Sequence, residues 1–166
     1  MYFAPGEDQR LLAETLARFL ADRYDLSTRH RNSASEEAFS RSAWSDFAEL
    51  GIVGAMFAEA DGGYGGTGAD IAVMFEALGK SLVVEPFLPT LLSGSLIAAC
   101  GSGQQRQLLA ALTGGETLGA FAHVEAQSRY DLGDVSTRAT RNAGEWHLTG
   151  AKSVVLGGAT ADLLVV

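Results

Sequence analysis

Apolar residues recur at helical spacing over the first two thirds of the chain and in short, turn-separated runs after that. In "EDQRLLAETLARFLADRY", Leu11, Leu12, Leu16, Phe19 and Leu20 fall on one stripe with charges opposite, which predicts an amphipathic helix. "SASEEAFSRSAWSDFAELG" predicts a second, opened by Ser33 and Glu36 at capping-box spacing and closed at Gly51. Its buried side is expected to be Phe39, Ala43, Phe47 and Leu50. A third helix is expected from about Ala69 to Leu78, stopped by Gly79, and a fourth from Leu88 to Cys100, ending at Gly101. The fifth, "SGQQRQLLAALTGG", has a Ser-x-x-Gln opening and a glycine stop.

After "TGGETLG" the runs "AFAHV", "VSTRAT", "WHLTGAKSVVL" and "ADLLVV" read as strands. Asn142 to Glu145 reads as a hairpin turn, because Asn and Gly tolerate the positive φ of tight hairpins. Helices followed by a block of strands imply an α+β fold or two domains, not alternating βαβ units. The change of texture divides the chain into 1–115, all helical, and 116–166. The last run, "DLLVV", has no turn after it, so the sheet is expected to be interrupted there.

Composition narrows the function classes. The chain has 166 residues, 47% apolar and 19% charged, which fits a packed globular protein. Asp and Glu number 20 against 12 Lys and Arg, and that excess repels phosphate backbones, so nucleic acid is not an expected partner. One cysteine, Cys100, excludes an internal disulfide and a cysteine-rich zinc site; no metal is expected. "MYFAPGEDQR" lacks the basic flank and apolar core of a secretory leader. "LPTLLSGSLIAAC" is too short and interrupted to span a bilayer. A cytoplasmic location is the expectation.

The densest motif is "DGGYGGTGAD". Gly63, Gly65 and Gly68 have the G-x-G-x-x-G spacing, an apolar run from Ile52 to Ala58 precedes them, and "SLVVEP" offers a second strand with Glu85 at its end. A nicotinamide reading would use these features. Against it, Glu59 and Asp61 stand where a pyrophosphate would arrive, and no further alternating strands follow. The sequence favours a structural turn, in which glycines supply positive φ and close packing.

"ELGIVGAMFAEADGGYGGTGADIAVMFEALGK" resembles the glycine-loop region of the acyl-CoA dehydrogenase family. The resemblance continues through "LGAFAHVEAQSRYDLGDVSTRATRNAGEWHLTGAKSVVLGGATADLLVV", which is similar to the start of that family's middle β domain. The variants "E-x-Q-S-R-Y-D" and "G-A-K-S-V-V-L" look most like a branch that includes pimeloyl-CoA dehydrogenase small subunits. The resemblance implies an N-terminal helical domain (1–115) and the truncated start of an antiparallel β-barrel or sandwich (116–166). It also implies FAD as cofactor, an acyl-CoA substrate, an electron-accepting flavoprotein, and a homo- or hetero-oligomer.

By the same resemblance, flavin lies against Phe121 to Asp131 and Val154 to Gly158. The cofactor-facing residues implied are Phe121, His123, Val124, Ser128, Arg129, Tyr130, Val154 and Leu156. Val124 and Leu156 stand where the family usually has Thr, Tyr130 where it has Ser, and Val154 where many members have Trp. His123 offers a replacement donor, or is a structural strand histidine. Arg129 and Ser128 are the expected pyrophosphate contacts, unless the arginine is solvated. Leu88, Leu91, Leu92 and Ser95 on the fourth helix would line the acyl pocket, or serve as ordinary core. The family's catalytic glutamate belongs to a C-terminal domain, so no catalytic residue is expected in this chain. Asp61, Glu85 and Glu125 are expected as solvated surface carboxylates. The alternative to an enzyme fragment is a non-catalytic, flavin-poor subunit that stabilises a catalytic partner in a heteromer.

Overall fold

The computed structural model describes residues 5–166; residues 1–4, which open the stretch read above for a leader, lie outside the described residues. Helix α1 (Glu7–Arg23) buries Leu16 and Leu20, whereas Leu11 faces solvent. Helix α2 (Leu26–Ser33) has no apolar stripe, and for that reason the periodicity does not reveal it. The Asp25 carboxylate opens it by accepting the Thr28 amide at 2.7 Å, satisfying one of the donors a helix start leaves unpaired. Ser33 therefore ends a helix, and the expected Ser33–Glu36 box does not form. Helix α3 (Arg41–Glu49) is opened by Ser40, whose Oγ accepts the Ala43 amide at 3.2 Å. Its buried face is Trp44 and Phe47, while Leu50 is exposed.

Helix α4 (Gly68–Lys80) opens with a reciprocal box: Asp70 N–H donates to Thr67 Oγ1 at 3.2 Å and Thr67 N–H to Asp70 Oδ2 at 3.0 Å. Gln9 Nε2 also donates to Asp70 Oδ1 at 3.0 Å, tying α1 to this corner. Gly79 does not stop α4; Leu82, at φ 53°, makes the left-handed turn after it. Helix α5 (Phe87–Cys100) ends at Gly101 as expected. The fifth segment splits into α6 (Gly103–Arg106), opened by Ser102 and Gln105, and α7 (Leu109–Thr113).

The helices enclose a core of Leu16, Leu20, Phe47, Ile52, Val53, Met56 and Met74, each at most 2% exposed. Phe87 sits edge-on to Trp44 and Phe47, at centroid distances of 5.0 and 5.1 Å, a geometry aromatic rings prefer over face-to-face stacking. Trp44 Nε1 donates to the Gly115 carbonyl at 2.9 Å, fastening α3 to the point where the strands begin.

Strands β1 (Gly119–Phe121), β2 (Arg138–Asn142), β3 (Glu145–Thr149) and β4 (Leu163–Val165) form two separate two-stranded sheets. β2 and β3 pair antiparallel from Arg138↔Thr149 to Asn142↔Glu145. Their turn residues are Ala143 at φ 49° and Gly144 at φ 91°, so alanine, not Asn142, carries the first positive φ. β1 pairs with β4 in parallel, Gly119↔Leu163 to Phe121↔Val165. Among the described residues the strands thus form a hairpin and one parallel pair with no closed sheet, so the start of an antiparallel barrel or sandwich is not confirmed. β1 packs directly on α5, where a Cβ at Gly119 would lie 2.1 Å from Ser93 Oγ. Asp162 accepts the Leu118 amide at 2.9 Å and holds the pair together. Among the described residues, no helix is long and apolar enough to cross a membrane.

Candidate functional site

The glycine loop is filled by its own chain. Gly63, Tyr64, Gly65 and Gly66 donate their amides to the carbonyls of Ala58, Gly54, Phe57 and Ala55. A Cβ on Gly63 would lie 2.1 Å from the Phe57 carbonyl oxygen, and Gly66 combines φ 72° with a Cβ position 2.6 Å from Phe57 C. No amide of these four is left to cradle a phosphate. Ile52 to Ala58 contains a 3₁₀ turn (Gly54–Met56), and Ser81 to Pro86 is irregular, so neither supplies the strand that a dinucleotide fingerprint requires. The nicotinamide reading is excluded on both counts.

Beyond β1 the chain runs as an irregular loop to Thr137, and a second irregular segment, Gly150 to Asp162, lies against it. Ser153 N–H donates to the Val124 carbonyl at 2.8 Å where they meet. Along both, the amides of Val124, Arg129, Tyr130, Val154, Val155 and Leu156 find no acceptor among the described residues. His123 stacks on Phe121 at 4.7 Å, and its buried Nδ1 has no hydrogen-bond partner. The buried Nδ1 of His123, left without a partner, is a polar group of the kind that a folded chain nearly always satisfies, and the unbonded amides beside it lie open to water or to a ligand. Ser128 is a different case. Its hydroxyl donates to the Glu125 carbonyl at 2.8 Å and accepts the Glu125 amide at 3.3 Å, so it closes the turn and is not free for a ligand. Arg129 (φ 48°) and Tyr130 are exposed, the tyrosine completely. Val154 is 82% exposed at φ 52°, a conformation strained for a β-branched residue.

Beneath this loop sits a carboxylate that sequence reasoning placed on the surface. Glu125 is 1% exposed. It accepts from Lys152 Nζ (2.8 Å), the Ser136 amide (2.8 Å), the Ser136 hydroxyl, the Thr137 amide (3.0 Å) and Gln127 Nε2 (2.7 Å). The Lys152 ammonium, reinforced by these hydrogen bonds, holds the Glu125 carboxyl well below the usual carboxylate range. Glu85 is likewise buried, 5% exposed, and accepts from Tyr24 Oη at 2.5 Å and Asn32 Nδ2 at 3.0 Å. Asp61 is paired with Arg106 at 2.7 Å. None of the three is a free surface carboxylate. The sequence carried no sign of these burials, since the partners that pair or bury each carboxylate, Lys152, Tyr24, Asn32 and Arg106, lie far along the chain.

A cleft of about 460 Å³ separates α5 from the second irregular segment, lined by Phe39, Val84, Leu88, Val155, Leu156 and Gly157. Leu88 and Leu156 therefore share one apolar space. Leu92 and Ser95 continue the same face of α5 at positions four and seven residues on, exposed, whereas Leu91 packs against the helical core. Phe121 lines a separate groove with Leu96, Trp146 and Leu164.

Residues 6–116 match the family described as acyl-CoA dehydrogenase, N-terminal domain. The chain is 32% identical over 130 residues to the mitochondrial long-chain specific acyl-CoA dehydrogenase of Rattus norvegicus, covering 76% of this chain and 30% of the rat protein. Among solved structures, a steroid ACAD variant superposes with a TM-score of 0.85 at 26% identity, covering 96% of this chain and 44% of that one. An acyl-CoA dehydrogenase from Bacillus anthracis complexed with FAD gives 0.82 at 25% identity, covering 97% and 28%. The chain thus spans less than half the length of each of these proteins.

Proposed function

The chain belongs to the acyl-CoA dehydrogenase family, and on that premise we propose that it forms the N-terminal portion of an FAD-dependent enzyme that dehydrogenates an acyl-CoA thioester at its α and β carbons. The observation that carries this reading is the buried, unpartnered Nδ1 of His123, flanked on two adjoining segments by backbone amides with no acceptor among the described residues. The donor set fits a flavin, whose ring presents carbonyl oxygens and ring nitrogens to backbone N–H groups. Bound FAD would supply the acceptor for the hydride that leaves the β-carbon. The Val124 amide, with His123 beside it, would hold the ring edge; Arg129, exposed and able to pair two oxygens at once, would meet the pyrophosphate. Leu88, Leu92 and Leu156 would exclude water around the acyl chain. The α-proton needs a carboxylate with a free oxygen and a proton affinity near that of the working pH. Glu125 and Glu85 are already occupied by donors and Asp61 is paired, so we assign the base to none of these three and, by the family resemblance, to a glutamate of a C-terminal domain. An electron-accepting flavoprotein and a homo- or hetero-oligomer in the cytoplasm complete the proposal.

A second reading, a flavin-poor subunit supporting a catalytic partner, is favoured by the apolar side chains at Val124 and Leu156 and by the committed Ser128 hydroxyl. The two separate cleanly. The purified full protein should show flavin absorbance that bleaches when an acyl-CoA is added anaerobically. Stoichiometric absence of flavin, with an intact fold, would overturn the first reading in favour of the second.

A further inference from the structure

The segment from Ala126 to Ser136 has almost no apolar anchorage: every residue but Ser128 is exposed. What holds it is one carboxylate. Glu125 gathers Gln127, Ser136 and Thr137 from its own loop and Lys152 from the facing segment. Lys152 Nζ makes a further bond to the His123 carbonyl at 3.3 Å. One ion pair, with side chains 13% and 1% exposed, thereby links the turn carrying Ser128 and Arg129, the return of that loop at Ser136, and the segment entering Val154 to Leu156. A buried pair of charges is a poor source of stability compared with apolar packing, because both ions are taken out of water. Its value is in geometry: four bonds gather the loop onto the Glu125 carboxylate, and Lys152, bonded to that carboxylate and to the His123 carbonyl, ties the facing segment to it.

We propose that Glu125 and Lys152 are positioning residues for the cofactor-facing surface, setting the spacing between the loop amides at Val124 to Tyr130 and those at Val154 to Leu156 without touching the cofactor themselves. The proposal rests on reading that surface as the flavin site. The test uses the full protein stripped of flavin, with FAD affinity read by fluorescence and local order read by amide hydrogen exchange.

Glu125→Gln and Lys152→Met should each weaken FAD binding by about tenfold or more, the scale of losing a fixed geometry. They should also speed exchange of the amides at Ser136 and Thr137 by a similar factor, while exchange in α5 stays unchanged. Lys152→Arg should recover most of the affinity. If Glu125→Gln fails to fold, Ser136→Ala, which removes one donor and keeps the ion pair, should still give a several-fold loss with faster exchange at Thr137. Wild-type affinity in folded variants would overturn the inference and leave the flavin reading standing. A wild-type protein that binds no FAD would overturn both.

Discussion

Replacing Tyr24 by Phe removes one oxygen from the interior of the helical domain and tests how the Glu85 carboxylate is tolerated there. The Tyr24 hydroxyl donates to Glu85 Oε2 at 2.5 Å and accepts the Val84 amide at 3.2 Å, with both side chains at most 5% exposed. A hydrogen bond to a charged group contributes about 1.5–3 kcal/mol and a neutral one about 0.5–1.5. Tyr24→Phe should therefore cost roughly 2–4 kcal/mol, lowering the melting temperature by about 5–15 °C for a chain of this size. Burial first, and the hydrogen bond to Glu85 second, push the Tyr24 phenol up to about 12. A raised phenol stabilises the fold fully below its unfolded value of about 10 and loses that contribution as pH climbs toward 12. Wild-type stability should thus fall by about 2–3 kcal/mol across that window beyond any general alkaline loss, and the variant should lack this component. Urea titrations of both proteins at neutral pH and across the alkaline range measure each quantity. A variant within about 0.5 kcal/mol of wild type, or with the same alkaline slope, would refute the account of Glu85.

Gly94→Ala in α5 gains about 1 kcal/mol of helix propensity, yet its Cβ would lie 2.4 Å from Phe57 Cε1. Overpacking costs about 1–3 kcal/mol, so chemical denaturation should report a net loss, and a stabilised variant would show that the ring moves freely. Val154→Gly relieves a strain of about 1–3 kcal/mol, less about 0.5–1 for glycine's flexibility. It should raise the unfolding midpoint slightly, and a clear drop would mean that the exposed side chain makes contacts the geometry does not record. In the full protein, Arg129→Ala should weaken FAD binding about tenfold, equal to about 1.4 kcal/mol, with His123→Ala smaller and visible as a shifted flavin spectrum; unchanged affinity in Arg129→Ala makes the arginine a surface residue only.

What was legible in the sequence was local. The stripes of α1, α4 and α5, the Ser102–Gln105 opening and the glycine after α5 announce themselves within a few residues, because caps and periodicity act over one or two turns. Helix α2 was illegible since its eight residues, all polar but the exposed Leu26, bury little beyond Asn32, and a serine seven residues too early borrowed the look of α3's cap. The hairpin could be read, but the parallel pairing of β1 with β4 could not, because nothing in "GAF" names a partner beyond residue 160. At the candidate site, the positions of the two facing segments came from resemblance. The burial of Glu125 and its pairing with Lys152 did not, for a carboxylate's surroundings depend on groups up to 27 residues away.

The parallel pair also dictates an order of events in folding. Leu118 cannot meet Asp162 until a span of 44 positions has been closed, and the entropy of closing such a loop must be met before any contact repays it. The β2–β3 ribbon, whose partners are separated by a two-residue turn, carries no such cost. Until β4 is made, the edge of β1 that receives it has no strand partner, and an unpaired edge is where chains of the same sequence adhere to one another. The Asp162 carboxylate, arriving just before β4 and bonding to the Leu118 amide, acts as the latch that ends this vulnerable interval. Loss of that latch should show first as a lower yield of soluble protein and only afterwards as a lower melting temperature.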